Sequence, residues 1–160
     1  MMRRATGLLA SLLCAASPLL HAAVTCTVTA TAVQFGTYDP LSASPLLSTG
    51  TVVTTCSLRG ALSAQATLTS GFTTGSSGRY AGRTMTLGAN SLLYNLYLDA
   101  AHTQIAGNGT GGSSTGAATL NLNFLDPTQT WTETIYGSMP AGQDAAPGTY
   151  MDSIMVTIDY

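Results

Sequence analysis

The C-terminal stretch Tyr150-Met151-Asp152-Ser153-Ile154-Met155-Val156-Thr157-Ile158-Asp159-Tyr160 decides the fold class. Tyr150, Ile154, Val156, Ile158 and Tyr160 share one parity, and Ser153, Thr157 and Asp159 the other. This is period two, the mark of a strand with one face buried and one face wet. Working back along the chain, the pattern is weak over Thr132–Met139. It is strong at Ala118, Leu120, Leu122 and Phe124, with Thr119, Asn121 and Asn123 between. It returns over Leu92–Leu98, Thr84–Leu87, Ser63–Thr69 (Ala64, Ala66, Leu68), Thr51–Leu58 (Val52, Cys56, Leu58) and Val24–Gln34 (Val24, Cys26, Val28). No segment sustains a 3.6-residue apolar period. Gly, Ser, Asn and Pro clusters, notably Gly75–Gly78 and Gly107–Gly116, separate the runs as polar loops. Seven or eight short strands at this spacing predict an all-β antiparallel sandwich or barrel, in one domain without internal repeat.

The first 22 residues read as a secretory signal peptide. Arg3 and Arg4 supply the positive start, Gly7 to Ala16 an apolar run too short to span a bilayer as a helix, and Ser17-Pro18 a break. Cleavage after Ala22 leaves residues 23–160 as the folded domain. Cys14 follows Leu13 rather than a small residue, so no lipid anchor is expected. The exported chain retains Arg59, Arg79 and Arg83 against seven acids, a net charge of −4, and has no lysine. Nucleic acid and anionic membrane surfaces both select for a basic face, so neither is an expected partner. Threonine, with 26 residues, is the commonest polar residue and suits pleated surfaces wet on one side.

Cys26 and Cys56 are the two cysteines left after export, on two runs of matching pattern. An even count in an oxidising compartment predicts a disulfide. Closing that loop would contribute about 3.5 kcal/mol on the chain-entropy model.

Catalytic patterns are sparse. His102, the one histidine outside the leader, lies in a polar stretch and reads as a solvated loop residue. There is no Gly-x-Ser-x-Gly elbow and no His/Cys zinc spacing. Asp126 and Glu133 could in principle pair as a glycosidase requires, but they flank a turn and read as solvated loop acids. Asn108-Gly109-Thr110 matches a glycosylation sequon, and its glycines lack the lysine and helix of a phosphate loop. Phe72 and Trp131 lie in or near expected loops, as core caps or as an adhesive, sugar-stacking tip. No enzyme activity, cofactor or metal is expected.

Several blocks in order resemble the spore coat protein U-like domain family of archaic chaperone–usher pilus subunits. They are Phe35-Gly36-Thr37-Tyr38-Asp39-Pro40, Cys56, Arg83-Thr84-Met85, Leu93-Tyr94-Asn95-Leu96-Tyr97 and Gly107-Asn108-Gly109-Thr110. Tyr136–Gln143, Gly148-Thr149-Tyr150-Met151-Asp152 and Val156–Tyr160 complete the set. Ala106 departs from it, standing where the family often has tryptophan. The resemblance implies an immunoglobulin-like sandwich lacking one strand. A periplasmic chaperone and then a neighbouring pilus subunit would lend that strand during usher-mediated assembly of a surface fimbrium involved in adhesion or biofilm. Cleavage after Ala22 leaves only Ala23, Val24 and Thr25 ahead of Cys26, too short to serve as a donor strand. That suits a tip or terminating subunit, or a self-complete domain outside a pilus. The alternatives are a secreted adhesin or carbohydrate-binding module and, distantly, a hydrolase.

Overall fold

The structure, a computed structural model, describes residues 23–160; the expected signal peptide lies outside the described residues. Eight strands follow in order: β1 Ala23–Thr31, β2 Leu46–Arg59, β3 Ser63–Phe72, β4 Arg83–Leu87, β5 Asn90–Tyr97, β6 Gly116–Asn123, β7 Thr128–Met139 and β8 Val156–Asp159. A single 3-10 turn, Gly75–Ser77, sits between β3 and β4. Sheet 1 has the order β1-β2-β7-β5-β4 and sheet 2 the order β6-β3-β8, with every strand pair antiparallel. The two sheets face each other as an immunoglobulin-like sandwich.

Register follows the alternation. Cys26 stands directly opposite Cys56 in the β1–β2 ladder, and the two are joined by a disulfide. On the outer face of sheet 1, hydroxyls meet across strands: Thr31 with Thr51 at 2.9 Å, Thr55 with Thr130 at 3.0 Å and Ser57 with Thr128 at 3.1 Å. The wet face of the sheet is thus cross-linked by the residues that made the sequence threonine-rich.

The inner faces form two apolar clusters. One gathers Val52, Phe72, Leu92, Tyr94, Leu96, Ala106, Ile135 and Met139; the other gathers Cys56, Ala66, Leu68, Leu120 and Leu122. Between them, at one level of the sandwich, lie Thr54 on β2, Ser70 on β3 and Glu133 on β7. Each follows strand parity inward, so the core carries a polar belt across its middle.

After Thr31 the chain leaves β2 and crosses the inner face of sheet 1. Two glycines make room for it. A β-carbon at Gly50 would lie 2.6 Å from the Thr31 carbonyl oxygen, and one at Gly137 would lie 2.5 Å from Cγ1 of Val33 and 2.7 Å from Cζ of Phe35. Val33 and Phe35 therefore seat directly on the backbone of β2 and β7. Phe35 meets Tyr94 edge-to-face at 5.9 Å, and the Tyr38 hydroxyl donates to the Pro140 carbonyl at 2.8 Å.

Three expectations change. The run from Tyr150 to Tyr160 is not one strand: only Val156–Asp159 pair with β3. Phe124 does not continue β6 inward. Its N–H donates to the Leu62 carbonyl at 2.9 Å, which turns the chain, and its side chain is exposed. Glu133 is not a loop acid but an inward residue of β7.

Candidate functional site

Sheet 2 ends at β8, and its outer edge borders an apolar groove. Segment 30–35 forms one wall and segment 152–156 the other. Val52, Ile135, Leu96, Tyr94 and Met85 floor a cavity of about 370 Å³ between them. Its continuation, about 800 Å³, runs between Phe35–Tyr38 and Ala145–Tyr150. Val28, of inward parity on β1, is 44% exposed. The Tyr150 hydroxyl is buried beside the larger cavity without a hydrogen-bond partner.

Backbone polarity at this edge follows from one residue. The Thr73 N–H donates to the Met155 carbonyl at 3.0 Å, and the Met155 N–H donates to Oγ1 of Thr73 at 2.9 Å. Backbone groups alternate in direction along a strand, so those of Ile154, Val156 and Ile158 point away from β3 toward the groove. Their side chains are half-buried over the core. The edge thus offers hydrogen-bonding backbone, and the groove offers apolar surface.

Two polar clusters hold the walls. Arg83 is fully buried: Nη1 donates to Oδ1 of Asn95 at 2.9 Å, while Nη2 donates to the carbonyls of Thr73 at 2.8 Å and Ala106 at 2.7 Å. Its guanidinium lies 5.3 Å from the Tyr80 ring centroid. Burial lowers its pKa, opposed by Tyr94, Tyr80 and Asp152. The Asp152 carboxylate accepts from the Tyr94 hydroxyl at 2.6 Å, from the Ser76 N–H and hydroxyl at 2.9 and 2.8 Å, and from the Ser153 N–H at 2.9 Å. Burial pushes Asp152 up, but these bonds outweigh it and hold the carboxyl below its ordinary value. Burial and the same carboxylate push the Tyr94 phenol far up. Sequence alone placed Asp152 only within a resembling block; three of its four donors, on Tyr94 and Ser76, come from segments distant in the chain.

The remaining sequence candidates distribute differently. Phe72 is 3% exposed within the cluster of Val52, Leu92 and Ile135, and Trp131 is half-buried against the cluster of Cys56, Leu68 and Leu122. Strand parity turns both inward, so neither projects as a tip. His102 takes a left-handed backbone (φ 56°) in its loop and packs edge-on to Tyr97 at 5.0 Å and Tyr136 at 6.4 Å. Asp126 is exposed in the β6–β7 turn, whereas Glu133 is 9% exposed in the core; the two do not form a carboxylate pair. Asn108 is exposed, and its Oδ1 accepts from the Thr110 N–H and hydroxyl. Among the described residues, no three of His, Cys, Asp and Glu gather as a metal site. No helix among them is long and apolar enough to cross a membrane.

Comparison with known proteins agrees with this architecture. The chain belongs to the spore coat protein U domain family, which matches residues 10–157. It is 33% identical over 136 residues to Protein U of Myxococcus xanthus, covering 79% of this chain and 70% of that protein. Among solved structures it is similar to the CsuC–CsuE chaperone–tip adhesion subunit pre-assembly complex from archaic chaperone–usher Csu pili of Acinetobacter baumannii. The TM-score is 0.51 at 17% identity over 86% of this chain. The chain spans 40% of the matched chain's length, and the likeness is one of fold.

Proposed function

We propose that the protein is a structural subunit of an extracellular pilus or coat, and that it receives a β-strand from another polypeptide. The observation that carries this reading is the β8 edge: among the described residues, its outward backbone groups are unpaired beside an apolar groove, on a three-stranded sheet. An added strand gains affinity from the backbone and specificity from alternate side chains. An uncovered edge of this kind is also an aggregation hazard. Family membership and the fold shared with a subunit solved alongside its chaperone support the same reading. A periplasmic chaperone would fill the groove first and a partner subunit later, at an usher, with the product at the cell surface. Leader cleavage after Ala22 would leave little chain ahead of Cys26, which suits a tip or terminating position. The test is to export the protein with and without a chaperone of the archaic chaperone–usher type. Alone, it is expected to be marginally stable and to self-associate on standing; with the chaperone, monodisperse and more heat-resistant. A persistently monomeric protein with a high, cooperative unfolding temperature and no added strand would reject the reading.

A second reading, a secreted adhesin, has one observation in its favour. Leu62, Phe124 and Leu125 are 78, 67 and 80% exposed on adjacent turns at one end of the sandwich. If this end adheres to surfaces, Phe124→Ser with Leu125→Ser should reduce retention on hydrophobic beads without changing chaperone binding.

A further inference from the structure

We infer that Asp152 is a positioning residue of the groove: its carboxylate fastens the outer wall so that the groove is shaped to receive a strand before one arrives. This rests on the strand-receiving reading above. Met151 is bonded to Thr86 of β4 through both backbone groups, at 2.9 and 3.1 Å, so it belongs to the edge of sheet 1. Met155 is bonded to Thr73 at the end of β3, so it belongs to sheet 2. The chain therefore changes sheets within four residues, and Asp152 stands at the crossing.

Three elements converge on its carboxylate. Oδ2 takes the Tyr94 hydroxyl from β5, and Oδ1 takes both donors of Ser76 from the 3-10 turn and the N–H of Ser153. The backbone beside it is cut to fit: a β-carbon on Gly75 would overlap the carboxylate, and Gly75 has φ 66°. The N–H groups of Ser76 and Ser153 can only donate and both meet Oδ1, while Oδ2 takes the Tyr94 hydroxyl, so a carboxylate accepts at both oxygens where an amide could accept at one. The far end of the wall is anchored by the same logic, since Arg83 fixes the Thr73 carbonyl and Thr73 fixes Met155.

The anchor matters most when the groove is empty. β8 pairs over four residues and on one side only, a marginal strand by itself. An incoming strand would supply the missing hydrogen bonds to Ile154, Val156 and Ile158 and hold the wall independently. The Asp152 contacts therefore reduce the ordering that strand binding would otherwise require.

The experiment compares wild type, Asp152→Asn and the control Asp126→Asn, an exposed residue of the β6–β7 turn that lines neither cavity. Each is exported, isolated cold and dilute, and titrated with a labelled synthetic peptide of alternating valine and threonine carrying terminal lysines. Amide hydrogen exchange over residues 153–158 is followed in the empty and filled forms. For Asp152→Asn the expected result is about tenfold weaker peptide binding, faster exchange when empty, and wild-type exchange when filled. Asp126→Asn should match wild type throughout. If Asp152→Asn does not fold, Tyr94→Phe removes one donor and should show the same pattern at smaller size. Unchanged peptide affinity, or equal acceleration of exchange in both forms, would make Asp152 a general structural residue and overturn the inference. Failure of the wild type to bind the peptide, with slow exchange in its empty form, would instead reject the groove as a strand receiver and the inference with it.

Discussion

The carboxyl of Glu133 abuts the backbone of Gly116 on the facing sheet, where a β-carbon would overlap its oxygen. The Ser70 hydroxyl hydrogen-bonds the carboxyl while accepting from the Gly116 N–H at 3.1 Å. Oε2 is buried without a partner, as is Oγ1 of Thr54 in the same belt. The groups brought to this level by β2, β3 and β6 are two hydroxyls and a backbone amide, with no cation among them. Burial accordingly pushes the Glu133 carboxyl above its ordinary value, a shift the Ser70 bond only partly opposes.

From this follows a pH dependence of stability. The folded state holds the Glu133 proton more tightly than the unfolded state does. Its contribution is thus fully present below the ordinary value near 4.5 and is lost as pH rises through the higher folded value. Glu133→Gln should flatten the stability curve above pH 4.5. Asp152 acts in the opposite sense, its stabilisation being lost as pH falls through its lowered folded value, below the ordinary 3.8. The acid arm of the curve should therefore survive in Glu133→Gln. Chemical denaturation at a series of pH values reads both arms, and an unaltered slope above pH 4.5 in the variant would refute the assignment.

The two glycines under the crossing segment should differ in kind. At Gly137 an added methyl meets the side chains of Val33 and Phe35, which can shift together at a cost of about 1–3 kcal/mol. At Gly50 it meets the Thr31 carbonyl as well, at 2.6 Å, and backbone cannot step aside. Gly137→Ala should fold with a groove of altered shape and weaker peptide binding. Gly50→Ala should be the more destabilised of the two by urea titration.

The Cys26–Cys56 bridge should account for about 3.5 kcal/mol, the chain-entropy value for its separation of 30 residues. Urea unfolding with and without reductant measures it. Non-reducing mass spectrometry should find no alkylatable thiol in the exported protein after denaturation.

The N-terminus of the exported protein tests the position in an assembly. Cleavage after Ala22 gives a chain starting at Ala23, whose three residues ahead of Cys26 reach about 10 Å, short of a groove one strand long. Such a protein should enter fibres only alongside a subunit with a longer N-terminal extension. Intact mass fixes the cut, and electron microscopy of protein exported with chaperone and usher alone should show no homopolymers.

Alternation reports which way a side chain points, and that is legible along the strands but not past their ends, where Phe124 turns outward. It does not report whether a neighbour exists. The parity of Ile154, Val156 and Ile158 is right, yet the stretch before Val156 lies on no ladder because it is changing sheets. β7 read weakly because two of its inward positions are Glu133 and Gly137, an acid and a notch, although it pairs with β2 from Leu46↔Met139 to Ser57↔Thr128. The start of β2 was hidden in the same way: Gly50 looks like a turn and is the seat for Val33. Glu133 shares parity with Trp131 and Ile135, and that signal could have placed it in the core. The contacts of Asp152 with Tyr94 and Ser76 join residues 58 and 76 positions apart, which no local pattern encodes.

The disulfide also decides how the protein carries load. Tension applied at Ala23 passes through three residues and then, at Cys26, is shared covalently with Cys56 near the end of β2. β2 is an inner strand, bonded to β1 on one side and β7 on the other. A pull along the chain therefore reaches the sheet at Cys56 on an inner strand instead of peeling β1 from an open edge. The enclosed segment, with the crossing that walls the groove, is bypassed by the force, so a fibre under strain would not distort the groove from that side.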